Sequence, residues 1–207
     1  MTTIFGNQKG GAGKSTHCIM FANFLALEKN EEVLVLDLDF QESVYKLWSQ
    51  SGPPGEKRPY EVVRVELEHY AAISSKLEAA GGYILIDLPG RVDDNNLIPV
   101  FQEADLFICP FRYDKLSFES TMVFAQVVRQ LNPKAPLLFL PNQVKPNVRY
   151  EGKMLANERL SIFGKVIEEV PDRIGLQRIN TTVLPPELLD FLKGPYTTIY
   201  EDLRFIA

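Results

Sequence analysis

The sequence predicts a three-layer α/β fold, in which a mostly parallel sheet is covered by helices on both faces. Short unbroken apolar runs alternate with longer segments of helical periodicity, which is typical of strands buried on both faces. A glycine-rich loop separates the first apolar run from the first helical segment, so we expect a ligand at the carboxyl end of that strand. The 207 residues are 45% hydrophobic and 24% charged, which indicates one globular domain spanning residues 1–207.

The predicted elements alternate along the chain. Ser117 marks the start of the third helix, Asn132 and Pro133 end it, and a terminal helix carries Thr197, Tyr200 and Leu203 on one face. A loop rich in glycine and proline is predicted over residues 51–60. The strands are expected at 2–5, 33–36, 83–86, 106–109 and 137–140, and the helices near 15–28, 70–80, 117–131 and 151–162.

Cysteine use and hydropathy favour a cytoplasmic protein. Cys18 and Cys109 lie in separate apolar runs, which indicates buried free thiols in a reducing compartment. No apolar run approaches the roughly 18 residues of a membrane span, and a strand at residue 2 leaves no room for a signal peptide. We therefore expect no stable membrane anchor. His17 and His69 are isolated, so we expect a solvated or core-edge position for each rather than a catalytic one.

The glycine-rich loop has the composition of a phosphate-binding loop. Glycine lets the backbone approach a ligand closely, and successive N–H groups together with the following helix N-terminus bind phosphate oxygens. Lys14 would reach the β- and γ-phosphates, and the Ser15 hydroxyl would bind Mg²⁺. The predicted nucleotide-binding residues of this loop are Gly10, Gly11, Ala12, Gly13, Lys14, Ser15 and Thr16.

The loop departs from the strict Walker A pattern, because Gln8 stands where that pattern has its first glycine. The segment from Gln8 to Ser15 resembles the deviant Walker A motif of the ParA/MinD family of ATPases. The resemblance implies that the additional lysine, Lys9, reaches the phosphates bound by a partner subunit in a nucleotide-sandwich homodimer. The alternative is that Lys9 is a solvated loop lysine.

Three aspartates follow strand ends and are candidates for the catalytic edge of the sheet. Asp87 is the Walker B candidate, and Asp37 to Gln41 resembles the family's D-x-D-P-Q switch with Phe40 in place of proline. The resemblance implies that Asp39 orients or activates the attacking water and that Asp37 supports the Mg²⁺ shell. The predicted metal-site residues are Ser15, Asp37, Asp39 and Asp87.

The second switch also departs from the family pattern. The segment after the Walker B strand resembles a D-x-P switch, but Gly90 replaces the usual second proline. Arg91 then adds a charge that the pattern does not contain. The alternative to a Walker B role for Asp87 is that of a strand-end acid that caps a local turn.

Adenine is the expected base, because the segment that follows the fifth strand offers Asn142 without the Lys-x-Asp of a guanine-specific motif. By resemblance to the family, Asn142 would hydrogen-bond the adenine edge, and Pro171 with Asp172 would line the base. The alternative for Asn142 is a turn cap.

The resemblance implies an ATP hydrolase that acts as a dimerisation switch in DNA partition of a plasmid or mobile element. Lys9, Lys14 and Asp39 would be catalytic, ATP and Mg²⁺ the cofactors, and a ParB-like protein the activating partner. Trp48 and Ser49 are similar to the short plasmid branch of ParA proteins, although Trp48 is equally compatible with a core or interface aromatic. The alternatives are a membrane-cycling MinD-like positioning ATPase and a dethiobiotin-synthetase-like metabolic enzyme.

Nonspecific DNA is a further expected partner. The net charge is −5, yet residues 129–178 carry nine basic and five acidic side chains. Lysine and arginine contacts to phosphate would make such binding salt-dependent. The alternative is an ordinary solvated face. The candidate contacts are Arg149, Lys153, Arg159, Lys165, Arg173 and Arg178.

Overall fold

The computed structural model describes residues 1–51, 58–91, 93–177 and 185–206, and it confirms the predicted α/β class. These residues form a seven-stranded sheet in which every pairing is parallel. The strands are β1 (Thr2–Phe5), β2 (Val33–Asp37), β3 (Glu61–Arg64), β4 (Tyr83–Asp87), β5 (Leu106–Phe111), β6 (Leu137–Pro141) and β7 (Lys165–Val166). Their order across the sheet is β3-β2-β4-β1-β5-β6-β7.

Helices connect the strands and cover both faces of the sheet. A π-helical turn, Phe24–Glu28, continues the helix Lys14–Asn23. A 3-10 turn, Leu67–His69, precedes the helix Tyr70–Ala80. The helices are α1 (Lys14–Asn23), α2 (Ser43–Gln50), α3 (Tyr70–Ala80), α4 (Leu97–Gln102), α5 (Lys115–Leu131), α6 (Lys153–Ser161), α7 (Ile174–Gln177), α8 (Pro186–Asp190) and α9 (Lys193–Ile206).

The two hydrophobic cores lie on opposite faces of the sheet, because successive side chains of a strand point to opposite sides. Phe5 packs with α1, α2, α8 and α9 in one core, whereas Ile4 packs with α3, α4, α5 and α6 in the other. Tyr196 of α9 and Phe124 of α5 are among the largest fully buried side chains of these two cores. The chain therefore has the three layers that the apolar strands predict.

The sequence pattern does not predict the two strands at the edges of the sheet, β3 and β7. In β3 only Val62 is buried, and charged residues occupy both ends of the strand. Strand β7 has two residues and begins with Lys165. Edge strands in proteins are commonly short or charged, which blocks further strand pairing. A search for continuous apolar runs therefore finds the central strands only.

The terminal helix packs as predicted in outline. Tyr196, Ile199 and Leu203 are fully buried, and Thr197 and Tyr200 lie half-buried beside them. The Tyr200 hydroxyl donates to the Glu31 carboxylate at 2.6 Å. Within the described residues, no helix combines the length and the apolar composition that a bilayer span requires.

Both cysteines are buried free thiols, as predicted. Burial raises the pKa of Cys18 and of Cys109 well above the ordinary value, so both remain protonated. His69 is exposed, in agreement with a solvated position. His17 lies deeper than expected: it is 1% exposed, and its Nδ1 is 2.8 Å from the Tyr196 hydroxyl.

The buried imidazole of His17 gives the fold a defined response to acid. Burial lowers its pKa from 6.5 to about 4, and the neighbouring Asn142 amide opposes the shift only in part. Below pH 6.5 the unfolded chain binds a proton that the folded chain excludes down to about pH 4. The free energy of unfolding should therefore fall as the pH falls through this window, by up to about 1.4 kcal/mol per pH unit.

His17→Gln should flatten this dependence relative to the wild type, because other titrating groups are the same in both proteins. Urea denaturation between about pH 7 and about pH 5 measures the slope. His69→Gln, at an exposed histidine, is the matched control and should keep the wild-type slope. Equal slopes for His17→Gln and the wild type would contradict a neutral buried His17.

Candidate functional site

The glycine-rich loop connects β1 to α1 and leaves the N-terminus of the helix open. Gly11 and Gly13 have φ angles of +74° and +105°, a region that favours glycine. Residue 13 is the N-cap, no side chain caps the helix there, and the first turn contains no acidic residue. The free N–H groups and the helix dipole therefore form an anion site.

Asn142, at the carboxyl end of β6, supports this loop from behind. Its Nδ2 donates to the Ala12 carbonyl at 2.9 Å, and its Oδ1 accepts from the Gln143 N–H at 2.8 Å. A Cβ added at Gly13 would lie 2.3 Å from Asn142 Nδ2, so only glycine fits there. In this state the amide of Asn142 is engaged with the loop, and its contact with adenine stays a prediction.

The carboxyl ends of three neighbouring strands meet at the loop. Strand register pairs Asp87 with Phe5 on one side and with Asp37 on the other. Both carboxylates are fully buried. Lys14 is buried as well, and its Nζ lies 4.0 Å from the position that a Cβ of Gly90 would take. The second switch loop is therefore adjacent to the loop lysine.

The oxygen atoms at this edge fit a magnesium ion. Ser15 Oγ donates to Asp87 Oδ2 at 2.6 Å, and Asp87 Oδ1 is buried without a hydrogen-bond partner among the described residues. Mg²⁺ prefers oxygen ligands of this kind. The two oxygens of Asp37 accept the N–H groups of Asp39 and Tyr45, at 3.1 and 2.9 Å. Asp37 is thereby fixed beside Asp87.

Burial disfavours the charged form of both carboxyl groups of the pair. Burial raises the pKa of Asp87 to about 8, and the hydrogen bond from Ser15 offsets this only in part. The negative charge of Asp37 raises the pKa of Asp87 further, and the Lys14 charge lowers it. Burial also raises the pKa of Asp37. A bound cation would stabilise both carboxylates in their charged form.

Asp39 and Phe40 lie at the outer side of this edge. The Asp39 carboxylate accepts the Gln41 N–H at 2.9 Å, and Phe40 is 87% exposed. Both border a cavity of about 840 Å³ whose wall includes Pro89 and Arg91. Arg91 is exposed and pairs with Asp93 at 2.7 Å, so its charge is balanced within its own loop.

A second cavity, of about 640 Å³, opens beside the phosphate-binding loop. Cavities of a few hundred to a thousand Å³ accommodate nucleotide-sized ligands. A β-bridge between Val144 and Pro171 brings the two predicted base-lining segments together on its wall. Gly10 and Gly11 are both exposed, but only Gly11 lines the cavity of about 640 Å³. The predicted residues that line this cavity are Gly11, Gly13, Thr16, Asn142, Pro171 and Asp172.

Lys9 pairs with Asp114, a residue that lines the cavity of about 640 Å³. Its Nζ donates to Asp114 Oδ1 at 2.8 Å, and its side chain is 20% exposed. Partial burial alone would raise the pKa of Asp114, but hydrogen bonds from Lys9 and from the Ser117 N–H, with the nearby Arg112 charge, hold that pKa below its usual value.

Asp114 is the functional candidate that the sequence pattern did not indicate. We predicted that the third helix begins at Ser117, whereas α5 begins at Lys115 with Asp114 as its N-cap. Asp114 accepts the Ser117 N–H at 2.9 Å. Aspartate is among the preferred N-cap residues, so Asp114 directly before the helical run was a signal that could have identified the residue.

The predicted DNA contacts do not form one surface of unpaired cations. Lys153 pairs with Glu169, and Lys165 pairs with Asp202 at 3.1 Å. Arg173 stacks on Phe191 and lines the cavity of about 640 Å³. Arg149 and Arg159 are exposed, and Arg178 lies outside the described residues.

Trp48 is half-buried and packs against the core that contains Phe5, with Arg58 over its ring.

Three solved structures illustrate the fold that this chain shares with known proteins. A plasmid partition protein of Borrelia burgdorferi bound to AMPPNP is 22% identical, with a TM-score of 0.75 over 100% of this chain and 98% of its own. An ATP complex of a Cyanothece McdA variant is 16% identical, with a TM-score of 0.76 over 98% and 95% of the two chains. The Pyrococcus furiosus cell division ATPase MinD is 13% identical, with a TM-score of 0.77 over 100% and 99%.

The sequence comparisons identify the family. No curated protein sequence is similar enough to match. Residues 3–182 match the model of the CobQ/CobB/MinD/ParA nucleotide binding domain, which covers most of the chain and includes the loop, both switches and the cavity wall. The chain therefore belongs to the CobQ/CobB/MinD/ParA nucleotide-binding family.

Proposed function

We propose that this protein is a Mg²⁺-dependent ATPase whose nucleotide state controls a homodimer, and that it partitions DNA of a plasmid or mobile element. The observation that carries the proposal is that the two loop lysines have different surroundings. Lys14 is buried at the Asp87 edge, whereas Lys9 is directed to Asp114 at the start of α5. In this proposal Lys14 binds the phosphates of its own subunit, and Lys9 acts on the nucleotide of the partner subunit.

Adenine nucleotides are the proposed ligands. The chain offers a cavity of suitable size and no guanine-specific motif. The Borrelia and Cyanothece proteins of similar fold were solved with AMPPNP and with ATP. The loop N–H groups would bind the phosphates, and the segments around Asn142 and Pro171 would enclose the base.

The proposed reaction is in-line hydrolysis. A water molecule attacks the γ-phosphorus, the bond from that phosphorus to the β,γ-bridging oxygen breaks, and ADP and phosphate leave. Ser15 and Asp87 would hold Mg²⁺, supported by Asp37; when bound, the ion neutralises phosphate charge. Asp39 would orient the attacking water. Lys9 from the partner subunit would stabilise the charge that develops in the transition state.

The cellular role is proposed from the similarity of fold to plasmid partition proteins. In this proposal the ATP-bound dimer binds DNA without sequence preference, hydrolysis releases it, and a ParB-like partner accelerates hydrolysis. The protein would act in the cytoplasm.

Asp87→Asn tests the metal site. Replacing a carboxyl whose charged form burial disfavours by a neutral amide should raise the melting temperature of the nucleotide-free protein by roughly 2–8 °C, equivalent to about 1–2 kcal/mol. The variant should lose most of the further stabilisation that Mg·ATP gives the wild type. Differential scanning calorimetry with and without Mg·ATP measures both effects. Asp190→Asn, at an exposed carboxylate, is the control; equal stabilisation of Asp87→Asn and wild type by Mg·ATP would exclude Asp87 as a ligand.

Lys9→Ala and Asp39→Ala test the dimer switch. With ATP and Mg²⁺, size-exclusion chromatography with light scattering should show a wild-type dimer that dissociates as ATP is consumed and an Asp39→Ala dimer that persists. Lys9→Ala should reduce ATP turnover about a hundredfold or more, because it removes a transition-state cation. Lys134→Ala is the matched control, since Lys134 is exposed and precedes the amino end of β6, opposite the catalytic edge. A wild type that stays monomeric with every nucleotide would refute the switch.

DNA binding is tested separately with random duplex DNA and a gel-shift assay. The ATP-bound Asp39→Ala protein should shift the duplex, and the affinity should fall steeply with salt because phosphate contacts release counterions. Arg149→Ala and Arg159→Ala should each lower the slope of log affinity against log salt by about 1. A salt-insensitive or absent shift would contradict the DNA role and leave the ATPase proposal standing.

A further inference from the structure

Asp114 occupies the centre of a small charged cluster at the start of α5. Its Oδ1 accepts from Lys9 Nζ at 2.8 Å and from the Ser117 N–H at 2.9 Å. Its Oδ2 lies 3.2 Å from Nε of Arg112. One carboxylate therefore caps a helix and binds two cations.

The backbone that carries Lys9 is fixed independently of this cluster. The Lys9 N–H donates to Asn7 Oδ1 at 3.0 Å. The buried side chain of Asn7 in turn donates to the Pro110 carbonyl and to Thr121 Oγ1, each at 2.9 Å. Since the backbone is anchored, the Lys9 side chain is the part that can change partner.

We propose that Asp114 is a positioning residue that holds Lys9 within its own subunit until a second ATP-bound copy presents phosphates. This inference rests on the proposed function, because it assumes that Lys9 acts on the partner's nucleotide. The free subunit would then keep Lys9 on Asp114, at the wall of the cavity of about 640 Å³. Dimerisation would exchange a carboxylate for a triphosphate as the partner of the ammonium group.

The exchange is electrostatically feasible because Asp114 is never left uncompensated. When Lys9 leaves, the carboxylate keeps Arg112 and the N-terminus of α5. A partly exposed ion pair contributes little, whereas a triphosphate offers several charges to the same ammonium. The held lysine therefore weakens dimerisation without preventing it.

Symmetry doubles the effect of the contact. Each subunit of a two-fold dimer must break one Lys9–Asp114 pair, so both pairs oppose assembly. Asp114→Asn removes the charge and keeps an oxygen that can cap α5, since asparagine is a good N-cap. With two pairs removed, the dimer dissociation constant should fall by about tenfold.

The matched control is Glu119→Gln. Glu119 is an exposed carboxylate on the same helix, and it faces Lys115 at 3.9 Å rather than Lys9. It reports the effect of removing one negative charge from this region. Its dimer dissociation constant should stay within about twofold of the wild type.

Two measurements test the inference. First, the acetylation rate of Lys9 in the nucleotide-free protein is followed by mass spectrometry after brief exposure to an N-hydroxysuccinimide acetate reagent. Second, the dimer dissociation constant is measured by analytical ultracentrifugation at a saturating concentration of a nonhydrolysable ATP analogue with Mg²⁺. Arg112 and Asp114 both line the cavity of about 640 Å³, and saturation removes any effect of the substitution on nucleotide affinity.

Asp114→Asn should raise the Lys9 acetylation rate severalfold and tighten the dimer, while Glu119→Gln should change neither. An unchanged acetylation rate would overturn the holding contact, and a faster rate without a tighter dimer would overturn its role in assembly. A wild type that does not dimerise would instead refute the proposed function, and with it this inference. A dimer that requires Lys9 but is insensitive to Asp114→Asn would refute the inference alone.

Discussion

The candidate site depends on the register of the parallel sheet. Because β1, β2 and β4 are parallel and in register, Phe5, Asp87 and Asp37 end at the same level. The glycine-rich loop leaves β1 at that level, so Ser15 meets Asp87 without any distortion of the strands. A shift of one residue in either pairing would turn an aspartate to the other face of the sheet.

The same edge places two carboxyl groups side by side where burial disfavours their charged form. Asp37 and Asp87 are fully buried side by side, and the pKa of Asp87 is raised to about 8 by burial. Such an arrangement costs stability in the free protein. A bound cation with nucleotide phosphates reverses that cost, which couples ligand binding to the stability of this edge.

Asn142 illustrates how a site residue can be recognised while its contacts are not. The sequence indicates a polar residue at the carboxyl end of β6, and either a base contact or a turn cap follows from that position. The structure shows a third arrangement, in which the amide donates to the Ala12 carbonyl and fills the space above Gly13. Asn142 and Ala12 are 130 residues apart in the chain, so no local pattern could indicate the pair.

Local chemistry by itself determined the central strands, the phosphate-binding loop, the strand-end aspartates and the family, because each depends on neighbouring residues. Tertiary structure decided the edge strands β3 and β7, the burial of His17 against Tyr196 and the contact of Lys9 with Asp114. The last contact joins residues 105 positions apart. Its strength depends on a distance and a degree of burial that only the folded chain defines, and those two quantities set whether a loop lysine is free or held.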